Sequence, residues 1–157
     1  MNTATAPAWR LDFDGAELAW ARTLPGGWQL RFAVVPARPL TAPGPAAETA
    51  TAHTTGHALG VLLHLQAAMA AADAEPLPST ADLAHLVGRC SGLQAWAGPT
   101  TSGAQATPLP PLTLPSQHTS PVHLRLQMAQ GEVLQLAGQH LQLLQPDGPR
   151  WVEHLHC

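Results

Sequence analysis

Lysine, isoleucine and tyrosine do not occur among the 157 residues, and all seven cationic side chains are arginines. Without lysine there is no Schiff-base catalysis and no P-loop amine, and without tyrosine no phenolic acid or base. Charge is scarce as well: Asp, Glu, Lys and Arg make up 11% of the chain, against about 25% in an average soluble domain, and the formal net charge is −3. Scattered arginines on a net-negative chain offer no electrostatic footprint to a phosphate backbone and no polybasic patch to a membrane surface. The sequence therefore predicts no nucleic-acid partner and no membrane partner. No run reaches the roughly 18 apolar residues of a membrane-spanning helix, and the first eight residues lack a basic region followed by an apolar one, so the expected location is cytoplasmic. Two cysteines, Cys90 and Cys157, give no disulfide framework and are expected as thiols.

What the chain does contain is Ala, Leu, Gly, Pro, Gln and Thr. Thirteen glycines and sixteen prolines stay below the share, roughly 25 to 30%, that marks a wholly disordered chain. A single domain over 1–157 is expected, long enough to bury roughly 68 to 70% of its unfolded surface.

Period-two alternation is the dominant pattern. Trp9, Leu11 and Phe13 alternate with Arg10 and Asp12 ahead of Asp14-Gly15, which reads as a strand entering a two-residue hairpin turn. That hairpin sets Phe13 against Ala16, Leu11 against Leu18 and Trp9 against Trp20, and leaves Asp12 facing Glu17. A three-residue loop at Pro25-Gly26-Gly27 then sets Leu24 opposite Trp28 and Trp20 opposite Phe32, completing a meander over 8–35. Its expected core face carries Trp9, Leu11, Phe13, Leu18, Trp20, Leu30, Phe32 and Val34.

Residues 36–56 read as a mobile Pro/Ala/Thr-rich loop with too little apolar surface to offset its ordering entropy. Residues 58–67 read as a strand, although a helix also fits. A capping-box-like Ser79-Thr80-Ala81-Asp82 with Gly88 beyond it predicts one short helix over 80–87. A strand is expected over 92–97, then an irregular Pro-rich connection over 98–121 with an edge strand near 112–114. Alternation returns at Val122, Leu124, Leu126 and Met128. An odd-numbered loop near Gln130-Gly131 then brings Leu134 and Leu136 opposite Met128 and Leu126. The change of parity from Leu134 and Leu136 to Leu141 and Leu143 predicts a bulge or bend at Gly138. A last strand over 151–155 follows the turn at Pro146-Asp147-Gly148-Pro149. The expected architecture is all-β: about eight to nine antiparallel strands in a two-sheet sandwich or a partly open barrel, with at most one short helix.

Histidine is the chemically suggestive residue, with nine copies. His154 and His156 share a strand face beside Cys157, and His53 and His57, four apart, would share a face if that segment were helical; together they could supply zinc or copper with imidazole and thiolate. Protonating all nine would begin below about pH 6.5 and add one charge each. Asp82, His85 and Cys90 crowd near the predicted helix, but capping and packing account for them. Turn and strand-face positions account likewise for the carboxylates Asp12, Asp14 and Glu17. Trp9, Trp20, Trp28, Trp96 and Trp151 could stack on a sugar or base, yet Trp9, Trp20 and, in phase with Leu30 and Phe32, Trp28 fall on the expected core face. No catalytic constellation survives, so the function expected first is a non-enzymatic binding or assembly module. It would hold a protein partner or a second copy through a sheet edge. The alternatives are a zinc protein using His154, His156, Cys157, His53 and His57, and a carrier of a small apolar ligand inside a β-barrel.

Overall fold

In the computed structural model, residues 8–40, 55–67, 83–98 and 107–153 are described. They form twelve strands joined in one antiparallel, unclosed sheet that holds 67% of the described residues, with 1% in helix. The two longest, β3 (Gly27–Pro39) and β4 (Gly56–Gln66), pair from Gly27 opposite Gln66 to Ala37 opposite Gly56 in one unbroken register. Trp28, Leu30 and Phe32 of β3 and Val61, Leu63 and Leu65 of β4 point into the core. Past that point the buried positions change parity in both strands at the same rung, to Val35 and Ala37 on one and Ala58 on the other. Gly60, with φ +66°, sits at that rung. A kink shared by both strands at Ala33 and Gly60 thus shifts which residues turn inward while the register on either side of it stays the same. Phe32, Leu63 and Leu65 are each completely buried, a contribution of about 1.5 to 3 kcal/mol apiece.

The N-terminal region corrects the expected hairpin. Strand β1 (Trp9–Leu11) pairs with β3, Trp9 opposite Pro39 and Leu11 opposite Ala37, and not with β2 (Glu17–Leu24). β2 pairs with the other half of the same β3 edge. Residues 9–24 are therefore one interrupted strand, and residues 12–16 form an excursion from it that carries Phe13 and Ala16 into the core. The turn chemistry explains the difference. Ala16 N–H donates to Phe13 C=O (3.2 Å), and Gly15 has φ +87° while no non-glycine residue among the described ones has positive φ. Positive φ at the second central residue alone is a type II turn, whose twist splays the flanking strands; a tight I′ hairpin needs it at both. Asp12 and Glu17 consequently never face each other. Glu17 lies opposite Val34 on one side and Arg89 on the other.

The second turn is also shorter than expected. Its loop is Pro25-Gly26, with Leu24 opposite Gly27, Thr23 opposite Trp28 and Trp20 opposite Arg31. Irregularities between Glu17 and Leu18 and between Leu18 and Trp20 then bring Leu18 and Ala21 inward and leave Trp20 half-buried outside the core. Arg22 stacks over the Trp20 ring, 4.6 Å from its centroid.

β3 continues through Pro36 and Pro39 into the stretch read as loop, and residues 41–54 lie outside the described ones. Pro36 turns its backbone toward the excursion, where its C=O accepts from Asp12 N–H (2.8 Å), a bond that needs no N–H from the proline. Of the helix expected over 80–87, residues 80–82 lie outside the described residues. Leu83 is helical and its C=O accepts from Leu86 N–H (3.0 Å), and both leucines are buried.

Strand β5 (Gly88–Ala97) begins four residues before the expected one. Prolines divide the described part of 98–121 into β6 (Thr107–Pro108), β7 (Thr113–Leu114) and β8 (Ser116–His118). β9 (Val122–Met128) has the predicted bounds, and the bond from Met128 N–H to Glu132 C=O (2.8 Å) extends its pairing with β10 (Val133–Gly138), which leaves a loop of odd length, Ala129-Gln130-Gly131. The register is two residues tighter than expected: Leu134 faces Leu126 and Leu136 faces Leu124. At Gly138 the chain bends and becomes β11 (His140–Leu144), which leaves β9 and pairs with β4 and β8. β12 (Trp151–Glu153) pairs with the start of β4. The strand order is β10-β9-β5-β2-β3-β4-β11-β8. No helix among the described residues is long and apolar enough to cross a membrane.

Candidate ligand-binding cleft

Strands β2 and β5 stay together for only two pairs, Glu17 with Arg89 and Leu18 with Gly88. Just beyond, the excursion holds β5 once more: Gly15 N–H donates to Cys90 C=O (2.9 Å) and Cys90 N–H to Ala16 C=O (2.8 Å). A bulge between Cys90 and Gly92 then redirects β5. Farther along the same edge, Leu109 N–H donates to Ala95 C=O (2.9 Å) and β6 pairs with Trp96 and Ala97. Alternate residues of a strand present N–H and C=O to the same edge, so Leu93 presents its pair beside that of Ala95. The pairing with β6 ends at Leu109, and Pro110 and Pro111, which follow it, have no N–H to donate. The ladder therefore has a gap at Leu93.

The gap is the floor of a cleft of about 410 Å³, lined by Leu11, Asp12, Phe13, Leu93, Gln94, Ala95, Trp96 and residues 108–112. Its size falls within the roughly 300 to 1,000 Å³ of ligand pockets, and polar and apolar atoms line it in nearly equal measure. A smaller notch of about 240 Å³ adjoins it, sharing Leu11, Asp12 and Pro111 and adding Arg10 and Arg38. Those two arginines are direct partners across the β1–β3 ladder, and both are exposed. Among the described residues neither forms an ion pair. Asp12 Oδ1 accepts from Asp14 N–H (3.0 Å).

A second polar feature lies on the outer face of β4, β11 and β8. His140 bonds Gln117 through Nε2 (2.7 Å) and Gln66 through Nδ1 (3.1 Å). Nearby, burial and the charge of His140 lower the pKa of His64.

Of the residues proposed for zinc, His57 lies on β4 between Pro36 and Val152. His53, His154, His156 and Cys157 lie outside the described residues. Among the described residues no three His, Cys, Asp or Glu side chains gather as a metal-ligand set. His85 Nε2 pairs with Glu132 Oε1 at 3.3 Å, whereas the Cys90 thiol is buried against Met128, Sγ to Sδ 3.8 Å. Burial pushes that thiol up to about 11. Asp82 is outside the described residues. The tryptophans do not share a platform: Trp9 and Trp151 stack with centroids 4.7 Å apart, Trp28 is buried, Trp20 lies under Arg22, and Trp96 lines the cleft.

Arg10, Arg38, Leu93 and the proline pair escape a reading of the sequence by motifs, because three distant segments build the cleft. The one local signal is Pro110-Pro111, two residues that cannot extend a ladder directly after a stretch that does. Comparison with protein-family models, with curated proteins and with solved structures finds no match for the chain.

Proposed function

We propose that the protein is a non-enzymatic binding module that takes a polypeptide segment into the cleft beside β5. The gap in the ladder at Leu93 carries this reading. An extended segment lying there would bond to the free N–H and C=O of Leu93 and press side chains against Phe13 and Trp96, the mode of recognition by strand addition. A cleft floored by backbone suits a polypeptide better than a small apolar molecule, which could not use those groups. The buried, protonated Cys90 suits packing rather than nucleophilic chemistry.

A partly open barrel fits this function better than a two-sheet sandwich. β10 and β11 are one chain segment bent at Gly138, yet β10 begins the strand path and β11 is its next-to-last strand, so the path curls back on itself. The opening then lies where β5 parts from β2, at the cleft.

Hydrogen exchange read by mass spectrometry tests the proposal, using peptides selected from a random display library. Bound peptide is expected to slow exchange over residues 91–96. Peptides that bind and leave that segment unprotected would move the site elsewhere, and a library that yields no binder would refute the reading.

A further inference from the structure

We infer that the occupant of the cleft is the C-terminal end of a polypeptide, its free carboxylate held between Arg10 and Arg38. The inference rests on the peptide-binding reading above and specifies which part of a chain enters.

The free edge of β5 is closed at both ends by paired backbone. Gly15 and Ala16 occupy Cys90 on one side, and Leu109 occupies Ala95 on the other. Five residue steps at about 3.3 Å each leave a slot of roughly 16 Å. A strand added there cannot run on in the plane of the sheet in either direction, so a chain end fits where an internal segment would have to leave at a sharp angle twice.

Charge selects which end. Arg10 and Arg38 face each other across the ladder, a like-charge pair that is unfavourable until an anion lies between them. Guanidinium groups match a carboxylate with parallel N–H donors, and they repel the ammonium of a chain's N-terminus. Asp12, the third charged group at the notch, leaves two positive charges against one negative. The surplus of one matches the single charge of a terminal carboxylate rather than the two charges of a phosphate. Leu11, Asp12 and Pro111 belong to both the notch and the cleft, so a peptide whose carboxylate enters the notch lays its preceding side chains against Phe13 and Trp96.

The test is fluorescence anisotropy on the full chain. The probes are labelled hexapeptides with four randomised terminal residues, made once as free acids and once as carboxamides. Free acids are expected to bind about ten-fold or more tightly than their amides. Arg10→Gln and Arg38→Gln are expected to remove that preference. The acid-to-amide comparison alters only the peptide, so it holds even if a variant folds poorly. Equal affinity for acids and amides, with residues 91–96 protected by both, would overturn the carboxylate inference and keep the peptide reading. Binding of decanoate with no binding of any peptide would overturn both.

Discussion

The bend between β10 and β11 depends on a residue without a side chain, and Gly138→Ala tests it. A Cβ at Gly138 would stand 2.3 Å from the Gln66 carbonyl oxygen and 2.7 Å from Leu65 Cγ and Cδ1. The oxygen belongs to a strand held by β3 and β11 and has no room to retreat. It also accepts the Gln139 N–H at 2.8 Å, a bond that the displacement would break. Overpacking of this kind costs about 1 to 3 kcal/mol, and loss of the bond adds about 1 kcal/mol. A destabilisation of about 3 kcal/mol follows, which for a domain of this length lowers Tm by roughly 6 to 12 °C. Gly92→Ala is the control: the same atom is added on β5, but nothing lies within 4 Å, and lower entropy of the unfolded chain should make the change neutral or stabilising by up to about 1 kcal/mol. Urea unfolding followed by tryptophan fluorescence measures both. If the two variants fall within about 0.5 kcal/mol of each other, the bend is not packed as described and the argument from the missing side chain fails.

Two further predictions concern titratable groups. Burial lowers the His64 pKa, with the charge of His140 acting in the same direction, so below about pH 6.5 the unfolded chain binds more protons than the folded one and stability falls as the medium is acidified. His64→Gln should flatten that fall in denaturation midpoints measured between pH 7 and pH 5; an unchanged slope would show that another group sets it. The Cys90 thiol, held up at about 11, keeps its proton after the unfolded thiol has lost its own, so stability declines as pH rises from the ordinary thiol range toward 11. In a Cys157→Ser background at pH 8, Ellman's reagent should react with folded protein at least about a hundredfold more slowly than with unfolded protein, and equal rates would refute the burial.

The sequence made the faces of the strands legible and left their neighbours hidden. Val122, Leu124, Leu126 and Met128 alternate over the observed span of β9, and the parity change between Leu136 and Leu141 marks the bend at Gly138. Alternation says which side chains turn inward, but a strand shifted by two residues keeps the same face, which is why the offset of β10 on β9 could not be read. Pairing β1 with β2 failed for a different reason. The pattern is equally satisfied when both lie along β3, and the choice falls to the φ of Asp14, which composition does not reveal. The turn at Pro25-Gly26 was misjudged by requiring Trp20 in the core, whereas the strand slips near Leu18 and lets Arg22 cover that ring. The cleft was the least legible feature. Arg10 and Arg38 are 28 positions apart in the chain and become partners only through the β1–β3 register.

The pairing of β4 with β11 also dictates an order of assembly. Gln66 and His140 lie 74 positions apart, so while the chain is being synthesised the outer edge of β4 has to wait for a partner made much later. Its residues Leu62, Leu63 and Leu65 are apolar, and an unpaired apolar edge invites pairing with other chains. Contacts of such long range also slow folding. A nascent chain stopped before residue 140 holds the β3–β4 hairpin without its outer cover, and that interval is when the protein is most exposed to aggregation and most dependent on a chaperone.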